Sequence, residues 1–295
     1  MRIVVLGAGS LGSLIGGILT RAADVHLVGR DPHMSAITAD GLRLTGAIQR
    51  TVHPTAGTSL PETTDIAVVT VKSYDTKAAA QQLARCDIDG ALSLSNGLDN
   101  EATLSTHLDC PVLAGTCTYG ARLRDPGVVE CTGLGEIALG PDGGGTSALA
   151  DAVGQVFSEA GLETIVATDM PRRQWRKLAV NAGINPTTAL ARVENGALLD
   201  GPLGGTARAA AREAGRVARN TGVDLEPAAA TDAMVDVARK TAANRSSMLQ
   251  DVEAKRRTEV DAINGAVVRR ADEPTPVNRT LTALVRGWEE ARSLR

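Results

Sequence analysis

GAGSLG, from Gly7 to Gly12, is the stretch that decides the fold of this chain. It follows the apolar run Ile3 to Leu6 and opens a helix-like segment of small residues from Ser10 to Thr20. A Gly-x-Gly-x-x-Gly sequence between a strand and a helix is typical of a dinucleotide-binding unit, in which the helix N terminus binds a diphosphate. We therefore predict that a cofactor binds to Gly7, Ala8, Gly9, Ser10, Leu11 and Gly12.

Three polar residues stand at the ends of other strand-like runs. Arg30 follows residues 25–28, Lys72 follows residues 66–71, and Asn96 follows residues 91–94. In an open α/β sheet the ligand crevice lies outside the carboxyl ends of the strands, near the point where the strand order reverses. These residues and the glycine loop are therefore predicted to form one site. For Lys72, an ordinary surface position at a strand end is the alternative.

Strand-like and helix-like segments alternate as far as about residue 168, with apolar runs at 3–6, 25–28, 66–71, 91–94, 112–118, 135–139 and 163–167. This alternation predicts an α/β fold with a doubly wound, mainly parallel Rossmann-type sheet. From residue 169 onward, long stretches rich in Ala, Arg, Leu and Glu predict helices. We expect residues 1–168 to form the cofactor-binding domain and residues 169–295 an all-helical domain.

Composition narrows the class of partner. The chain has 31 basic and 34 acidic residues and a net charge of −3, so it offers no cationic surface field for a nucleic acid. No apolar run approaches the ~20 residues of a membrane span. The four cysteines lack Cys-x-x-Cys spacing and the four histidines lack ligand-like pairing, so we expect no metal site. A cytoplasmic protein with a small-molecule partner is expected.

The segment HLVGRDPH, residues 26–33, bears on the choice of cofactor. NAD sites usually place an acidic side chain after the second strand to bind the ribose hydroxyls, whereas NADP sites supply a cation instead. Gly29 stands near the usual place of the acid and Arg30 follows it, which favours NADP. The alternative is that Arg30 is a solvated turn residue and Asp31 binds the ribose.

Two segments of the second half carry polar residues in apolar surroundings. In QWRKLAVNAGINPTTAL, residues 174–190, Lys177, Asn181 and Asn185 recur every four residues and form one stripe on a helix, either facing a ligand or in a structural network. In residues 244–265, the spacing of Glu259 from later apolar residues predicts a carboxylate on an apolar helix face. Ser247 and Gln250 fit a helix capping box, with ligand binding as the alternative.

The chain resembles the ketopantoate reductase family. The resemblance rests on motifs in the same order along nearly the whole chain: GAGSLG, VTVKSYDT (69–76), SNGLDNE (95–101), WRKLAVNAGINPTTAL (175–190), SSMLQD (246–251), TEVDAING (258–265) and PTPVN (274–278). It implies NADPH-dependent reduction of 2-dehydropantoate, a branched 2-oxo acid, to pantoate for pantothenate and coenzyme A synthesis. It also implies a homodimer formed through the helical domain.

The resemblance also assigns roles to individual residues. Lys177 matches the catalytic acid, and Glu259 matches a glutamate that orients the reacting region and contacts the cofactor side. Asn96 matches a residue that meets both cofactor and substrate, and Gly120 a backbone position near the nicotinamide. Polar residues that match substrate-binding positions are Asn181, Asn185, Asn195, Asn244 and Ser247. A lysine is also the acid that the residues themselves favour, because the second half contains no histidine.

The sequence departs from the family pattern near the expected substrate end. Asp99 stands where glycine is usual and Tyr119 replaces a frequent histidine. Two rival functions are a related enzyme acting on another branched 2-oxo acid or on a D-2-hydroxy acid with NAD, and a non-enzymatic protein that only senses NADP. The sensor would not need Lys177 and Glu259 together.

Overall fold

A computed structural model describes the whole chain, Met1 to Arg295. The chain forms two compact units, of which the first comprises Met1–Ser95 and Asp99–Met170. The second comprises Asn96–Leu98 and Pro171–Arg295. Every strand lies in the first unit, and the second is built from helices. The predicted Rossmann-type sheet followed by a helical region is therefore confirmed.

The first unit contains twelve strands and five helices. The strands, β1 to β12 in chain order, are Arg2–Leu6, Asp24–Val28, Leu42–Gly46, Arg50–Val52, Thr55–Gly57, Thr63–Val69, Asp87–Ser93, Val112–Cys117, Gly120–Asp125, Val128–Gly133, Ile137–Pro141 and Thr164–Val166. The helices, α1 to α5, are Ser10–Leu19, His33–Asp40, Thr76–Leu83, Asn100–Ser105 and Ala148–Ala160.

Eight strands form the main sheet, in the order β12-β11-β8-β7-β6-β1-β2-β5. All neighbouring pairs are parallel except β11 and β8. The chain runs outward from β1 through β2 in one direction and then crosses to β6 and outward in the other. The strand order therefore reverses between β1 and β6, where ligands of such sheets bind.

The sheet is covered on both faces because its central strands contain runs of consecutive buried apolar residues, Ile3 to Leu6 in β1 and Ile66 to Val69 in β6. Ile3 and Val5 of β1 pack in one buried cluster with Leu14 of α1. Val4 of the same strand packs in another cluster with Leu83 of α3. Successive side chains of a strand point to opposite faces, so one uninterrupted apolar run supplies both halves of the core.

A second, four-stranded sheet in the order β4-β3-β10-β9 was not predicted from the sequence. Its apolar side chains Leu42, Leu44 and Val129 join the cluster that includes α1. Gly17 of α1 leaves the space for this sheet, because a Cβ there would lie 2.9 Å from the Leu42 side chain. The strands are short, and β9 is mostly exposed, so they lack the continuous apolar pattern of the main sheet.

Six helices build the second unit: α6 to α11 are Met170–Ala191, Gly201–Asn220, Pro227–Lys240, Ser247–Glu253, Asn264–Arg270 and Pro276–Glu290. They pack closely through small residues. A Cβ at Gly183 would lie 2.7 Å from the carbonyl oxygen of Ala207, and one at Gly215 would lie 2.8 Å from Ala230. None of the helices has the length and apolar character needed to cross a membrane.

Glu101, in the first turn of α4, is a buried carboxyl group, with 3% of its surface exposed. Burial raises the pKa of this group to about 7, and the nearby Asp142 and Asp99 carboxylates act in the same direction. An unfolded glutamate has a pKa near 4.5. Between these two values the folded protein binds the proton more tightly than the unfolded chain, so the stability that Glu101 supports falls as the pH rises.

Glu101→Gln should therefore stabilise the protein more at pH 8 than at pH 5, by up to ~3 kcal/mol. The neutral amide avoids the buried charge that the wild type acquires above pH 7. Thermal unfolding between pH 5 and pH 9 measures the difference, and the exposed Glu62→Gln serves as a control. A stability difference that is constant over this range would contradict the prediction.

Candidate active site

The glycine loop after β1 has a backbone that only glycine allows at two positions. Gly7 has a φ of +101°, and a Cβ there would lie 2.6 Å from the amide nitrogen of Val71. A Cβ at Gly12 would lie 2.5 Å from the carbonyl oxygen of Gly7. The amides of Gly7 and Ala8 both donate to the carbonyl of Val28. The loop is therefore held tightly between the ends of neighbouring strands.

The same loop presents free backbone donors at the start of α1. The first helical hydrogen bond runs from the Ser13 amide to the Gly9 carbonyl, so the amides of Ser10, Leu11 and Gly12 have no helical acceptor. Gly9 is open above its Cα, because the nearest atom to a Cβ placed there is 3.9 Å away. An open glycine beside a helix N terminus fits a diphosphate.

Arg30 and Lys72 end the strands on either side of β1. Arg30 is exposed after β2, and Lys72 is half-buried after β6, where it begins a short 3-10 helix. Asp31 lies just before α2, and its side chain is hydrogen-bonded to that helix. One carboxylate oxygen accepts from both the hydroxyl (2.6 Å) and the amide (3.1 Å) of Ser35. Arg30 and Asp31 are both exposed, but only Asp31 has a carboxylate oxygen engaged in these local hydrogen bonds.

His33 fastens the segment after Arg30 to the rest of the unit. Its Nδ1 accepts from the Gly127 amide at 2.9 Å, so the proton of the neutral ring is on Nε2, which donates to the Ser13 hydroxyl at 2.9 Å. Burial lowers the pKa of His33 and favours this neutral form. The ring thus connects the start of α2 to α1 and to the turn between β9 and β10.

Gly120 begins β9 of the small sheet. That strand is joined to the glycine loop, because the Leu123 amide donates to the Ser10 hydroxyl at 3.0 Å. Tyr119, beside Gly120, accepts a hydrogen bond from the Glu163 amide through its hydroxyl at 3.1 Å. Tyr119 therefore has a structural partner within the first unit.

Asn96 and Glu259 form a hydrogen bond within the second unit, from the Asn96 side-chain amide to a Glu259 carboxylate oxygen at 3.2 Å. The backbone of the Asn96 turn is fixed beside it, since Gly97 has a φ of +91° and the Leu98 amide donates to the Ala262 carbonyl at 3.3 Å. Residues 163 positions apart are thus brought together.

Glu259 does not lie on a helix, so that prediction was wrong. It lies in a turn between α9 and α10, which we call the Glu259 turn, residues 256–263. The Glu259 carbonyl accepts from the amides of Ala262 and Ile263. The side chain is 5% exposed, and its buried carboxylate is partnered by Asn96. Apolar spacing suggested a helix because α10 begins directly after the turn.

Helix α6 carries the predicted stripe of Lys177, Asn181 and Asn185 on one face. Lys177 and Asn181 are half-buried, whereas Asn185 is only 4% exposed. The side-chain nitrogen of Asn185 is buried without a hydrogen-bond partner in the protein. A buried donor left unsatisfied costs about 1–3 kcal/mol, so this position favours a ligand oxygen.

A proline interrupts the hydrogen bonding of the same helix. The missing donor is supplied by residues that were not predicted from the sequence. Pro186 has no amide hydrogen, so the carbonyl of Ala182, four residues earlier, loses its helical donor. Asn264 donates to that carbonyl at 3.0 Å and also to Asn278 at 2.9 Å. Glu213 in turn accepts from the Asn278 amide and side chain. Pro186 within the apolar helix was the signal that a donor had to come from elsewhere.

The remaining predicted substrate residues fall into two places. The Asn195 amide donates to the Asn244 carbonyl at 3.0 Å, so these two are brought together. Ser247 is exposed at the start of α9. The capping box of Ser247 and Gln250 was wrong, because Ser246 is the cap and its hydroxyl accepts from the Leu249 amide at 3.1 Å. Ser246 also contacts Thr188 of α6 through a 2.7 Å hydroxyl pair.

The departure at Asp99 has a conformational explanation. Asp99 has a φ of +77°, in the left-handed region that glycine adopts without strain. Aspartate is among the residues that tolerate this region best. The glycine that is usual in the family is therefore explained by the backbone, and Asp99 keeps the same turn.

Comparison with known proteins agrees with this geometry. A model described as "Ketopantoate reductase PanE/ApbA" matches residues 3–144, and one described as "Ketopantoate reductase PanE/ApbA C terminal" matches residues 169–289. The chain is 44% identical to a 2-dehydropantoate 2-reductase of Halobacterium salinarum, over 97% of this chain and 98% of that protein.

Solved structures show the same fold. A PanE/ApbA family ketopantoate reductase from Ralstonia eutropha has a TM-score of 0.90 at 31% identity, covering 99% of this chain and all of that one. A D-mandelate dehydrogenase solved with NADH and anilino(oxo)acetate has a TM-score of 0.92 at 24% identity, covering all of both chains. At that lower identity the likeness concerns the fold alone.

The fold and the glycine loop define a nicotinamide-dependent oxidoreductase. The chain belongs to the ketopantoate reductase family, as its full-length similarity to the family models and to the archaeal relative shows.

Two single substitutions in the loop should separate packing from ligand binding. Gly12→Ala should destabilise the protein by ~1–3 kcal/mol, because its Cβ meets the Gly7 carbonyl. Gly9→Ala should leave the melting temperature nearly unchanged, since its φ is −89° and the space above it is open, but should weaken binding of the nicotinamide cofactor about tenfold or more. Calorimetry and fluorescence titration measure the two effects. Equal losses of stability in both variants would contradict this assignment.

Proposed function

We propose that this protein reduces 2-dehydropantoate to pantoate with NADPH. The observation that carries the proposal is the hydrogen bond between Asn96 and Glu259, in the unit that also contains the Lys177 helix. This bond joins two motifs of the family resemblance through their polar side chains. A protein that only senses NADP would need the glycine loop but no such polar group in its helical unit.

Reduction of a ketone requires a hydride and a proton. The nicotinamide ring, when bound, supplies the hydride. Lys177 is the proposed donor of the proton to the developing alkoxide oxygen, because a half-buried ammonium can deliver a proton in the plane of a bound ketone. Asn96 and Glu259 are proposed to orient the reacting groups, with Glu259 holding the Asn96 amide in one direction.

The other polar residues are proposed to hold the substrate. Asn185 has a buried side-chain nitrogen without a protein partner, which a carboxylate or hydroxyl oxygen of the substrate would satisfy. Asn181 lies one turn earlier on the same face, and Ser247 is exposed at the start of α9. Asn195 and Asn244, which meet through their backbones, complete the proposed set.

The proposed preference for NADPH depends on the loop after β2. Arg30 can form charge-assisted hydrogen bonds to a 2′-phosphate, whereas the Asp31 carboxylate already accepts two hydrogen bonds from Ser35. Lys72, after β6, is a proposed second cation. The homodimer and the cytoplasmic location implied by the resemblance stay predictions.

Arg30→Ala should raise the KM for NADPH about 10- to 100-fold and leave the KM for NADH nearly unchanged, because only NADPH carries the 2′-phosphate. Steady-state kinetics with ketopantoate and each cofactor measure this. Arg85→Ala, an exposed arginine of the same unit, is the control. An equal rise in KM for both cofactors would show that Arg30 does not bind the 2′-phosphate.

Lys177→Ala should lower kcat with ketopantoate by ~10²–10⁴ while the protein stays folded and binds NADPH. Glu259→Ala should affect kcat and KM together, and the double variant should lose far less than the product of the two losses. Lys240→Ala, an exposed lysine of the same unit, is the control. A panel of other branched 2-oxo acids tests the substrate. Near-normal kcat in Lys177→Ala would overturn the assignment.

A further inference from the structure

Glu289 is a carboxylate that the proposed reaction does not use, although it is completely buried. It lies near the end of α11 with 0% of its surface exposed. Buried carboxylates are rare unless they are paired and hydrogen-bonded, because removing the charge from water is costly. Its partners therefore indicate what the buried charge does.

The partners of Glu289 lead directly to the Glu259 turn. One carboxylate oxygen accepts from both the amide (2.7 Å) and the hydroxyl (2.6 Å) of Thr258, the residue before Glu259. The Thr258 hydroxyl also accepts a hydrogen bond from the amide of Val260, the residue after Glu259, at 3.3 Å. Glu289 thus holds the peptide on both sides of Glu259.

Ion pairs complete this attachment. The other carboxylate oxygen of Glu289 accepts from Arg295 at 2.7 Å, which balances its charge. Arg295 also pairs with Asp261, two residues after Glu259, and Arg286 pairs with Asp261 as well at 2.7 Å. The Glu259 turn is therefore fastened to α11 before and after the residue that contacts Asn96.

We propose that Glu289 is a positioning residue for Glu259, acting through Thr258 to aim the Glu259 carboxylate at Asn96. This inference rests on the proposed function, because it gives Glu259 a part in turnover. Two charge-assisted hydrogen bonds to one residue fix its backbone direction, and a rigid neighbouring peptide leaves the Glu259 side chain few orientations.

The test is a kinetic double-mutant cycle. Glu289→Gln should lower kcat/KM for ketopantoate about 10- to 100-fold when Glu259 is present, and less than about twofold in the Glu259→Gln background. Thr258→Val, a milder change, should behave in the same way, and Thr258→Ser should keep most of the activity because it keeps the hydroxyl. Glu290→Gln, an exposed neighbour on α11, should behave like the wild type.

Amide hydrogen exchange gives a second measure that needs no turnover. In Thr258→Val and Glu289→Gln, peptides covering residues 256–263 should lose protection while those of α6 and α7 keep it. Unchanged protection would overturn the proposal, as would equal kinetic losses in both Glu259 backgrounds. A wild type that does not turn over ketopantoate would instead overturn the proposed function. The two failures are distinguishable, because hydrogen exchange tests whether Glu289 holds the Glu259 turn without any turnover.

Discussion

The helical unit depends on one hydrogen bond in which a side chain replaces a backbone donor. Asn264 donates to the carbonyl of Ala182, which Pro186 leaves without a donor in α6. An unsatisfied buried carbonyl is costly, so the proline is tolerated only with a donor in place. Asn264 is also bonded to Asn278, which is held by Glu213. Four helices, α6, α7, α10 and α11, therefore meet in one buried polar network, and the face that carries Lys177 and Asn181 is fixed by it.

The first unit is organised in a different way, by close approach of backbone. Gly7 and Gly12 allow the loop after β1 to lie against the end of β6, at the point where the strand order reverses. This arrangement leaves the first amides of α1 directed outward beside an open Gly9. Both units thus have candidate binding groups where a regular element is interrupted: the glycine loop between β1 and α1 in one, and Asn185 beside Pro186 of α6 in the other.

The sequence was most informative where structure is local. The glycine loop, the central strands and the helical second half follow from short patterns, because alternation and glycine geometry act over a few residues. The Glu259 turn could not be predicted, since it is held by Glu289 about 30 positions later in the chain. Likewise, Ser246 rather than Ser247 caps α9, and the small sheet combines short strands from two distant segments.

The sparse aromatic content of the chain has a practical consequence. Its only two tryptophans, Trp175 and Trp288, both belong to the helical unit, the first on α6 two residues before Lys177 and the second on α11 beside Glu289. Excitation selective for indole therefore reports on this unit without any contribution from the sheet. Indole emission from the native chain therefore reports on α6, which carries Lys177, and on α11, which carries Glu289.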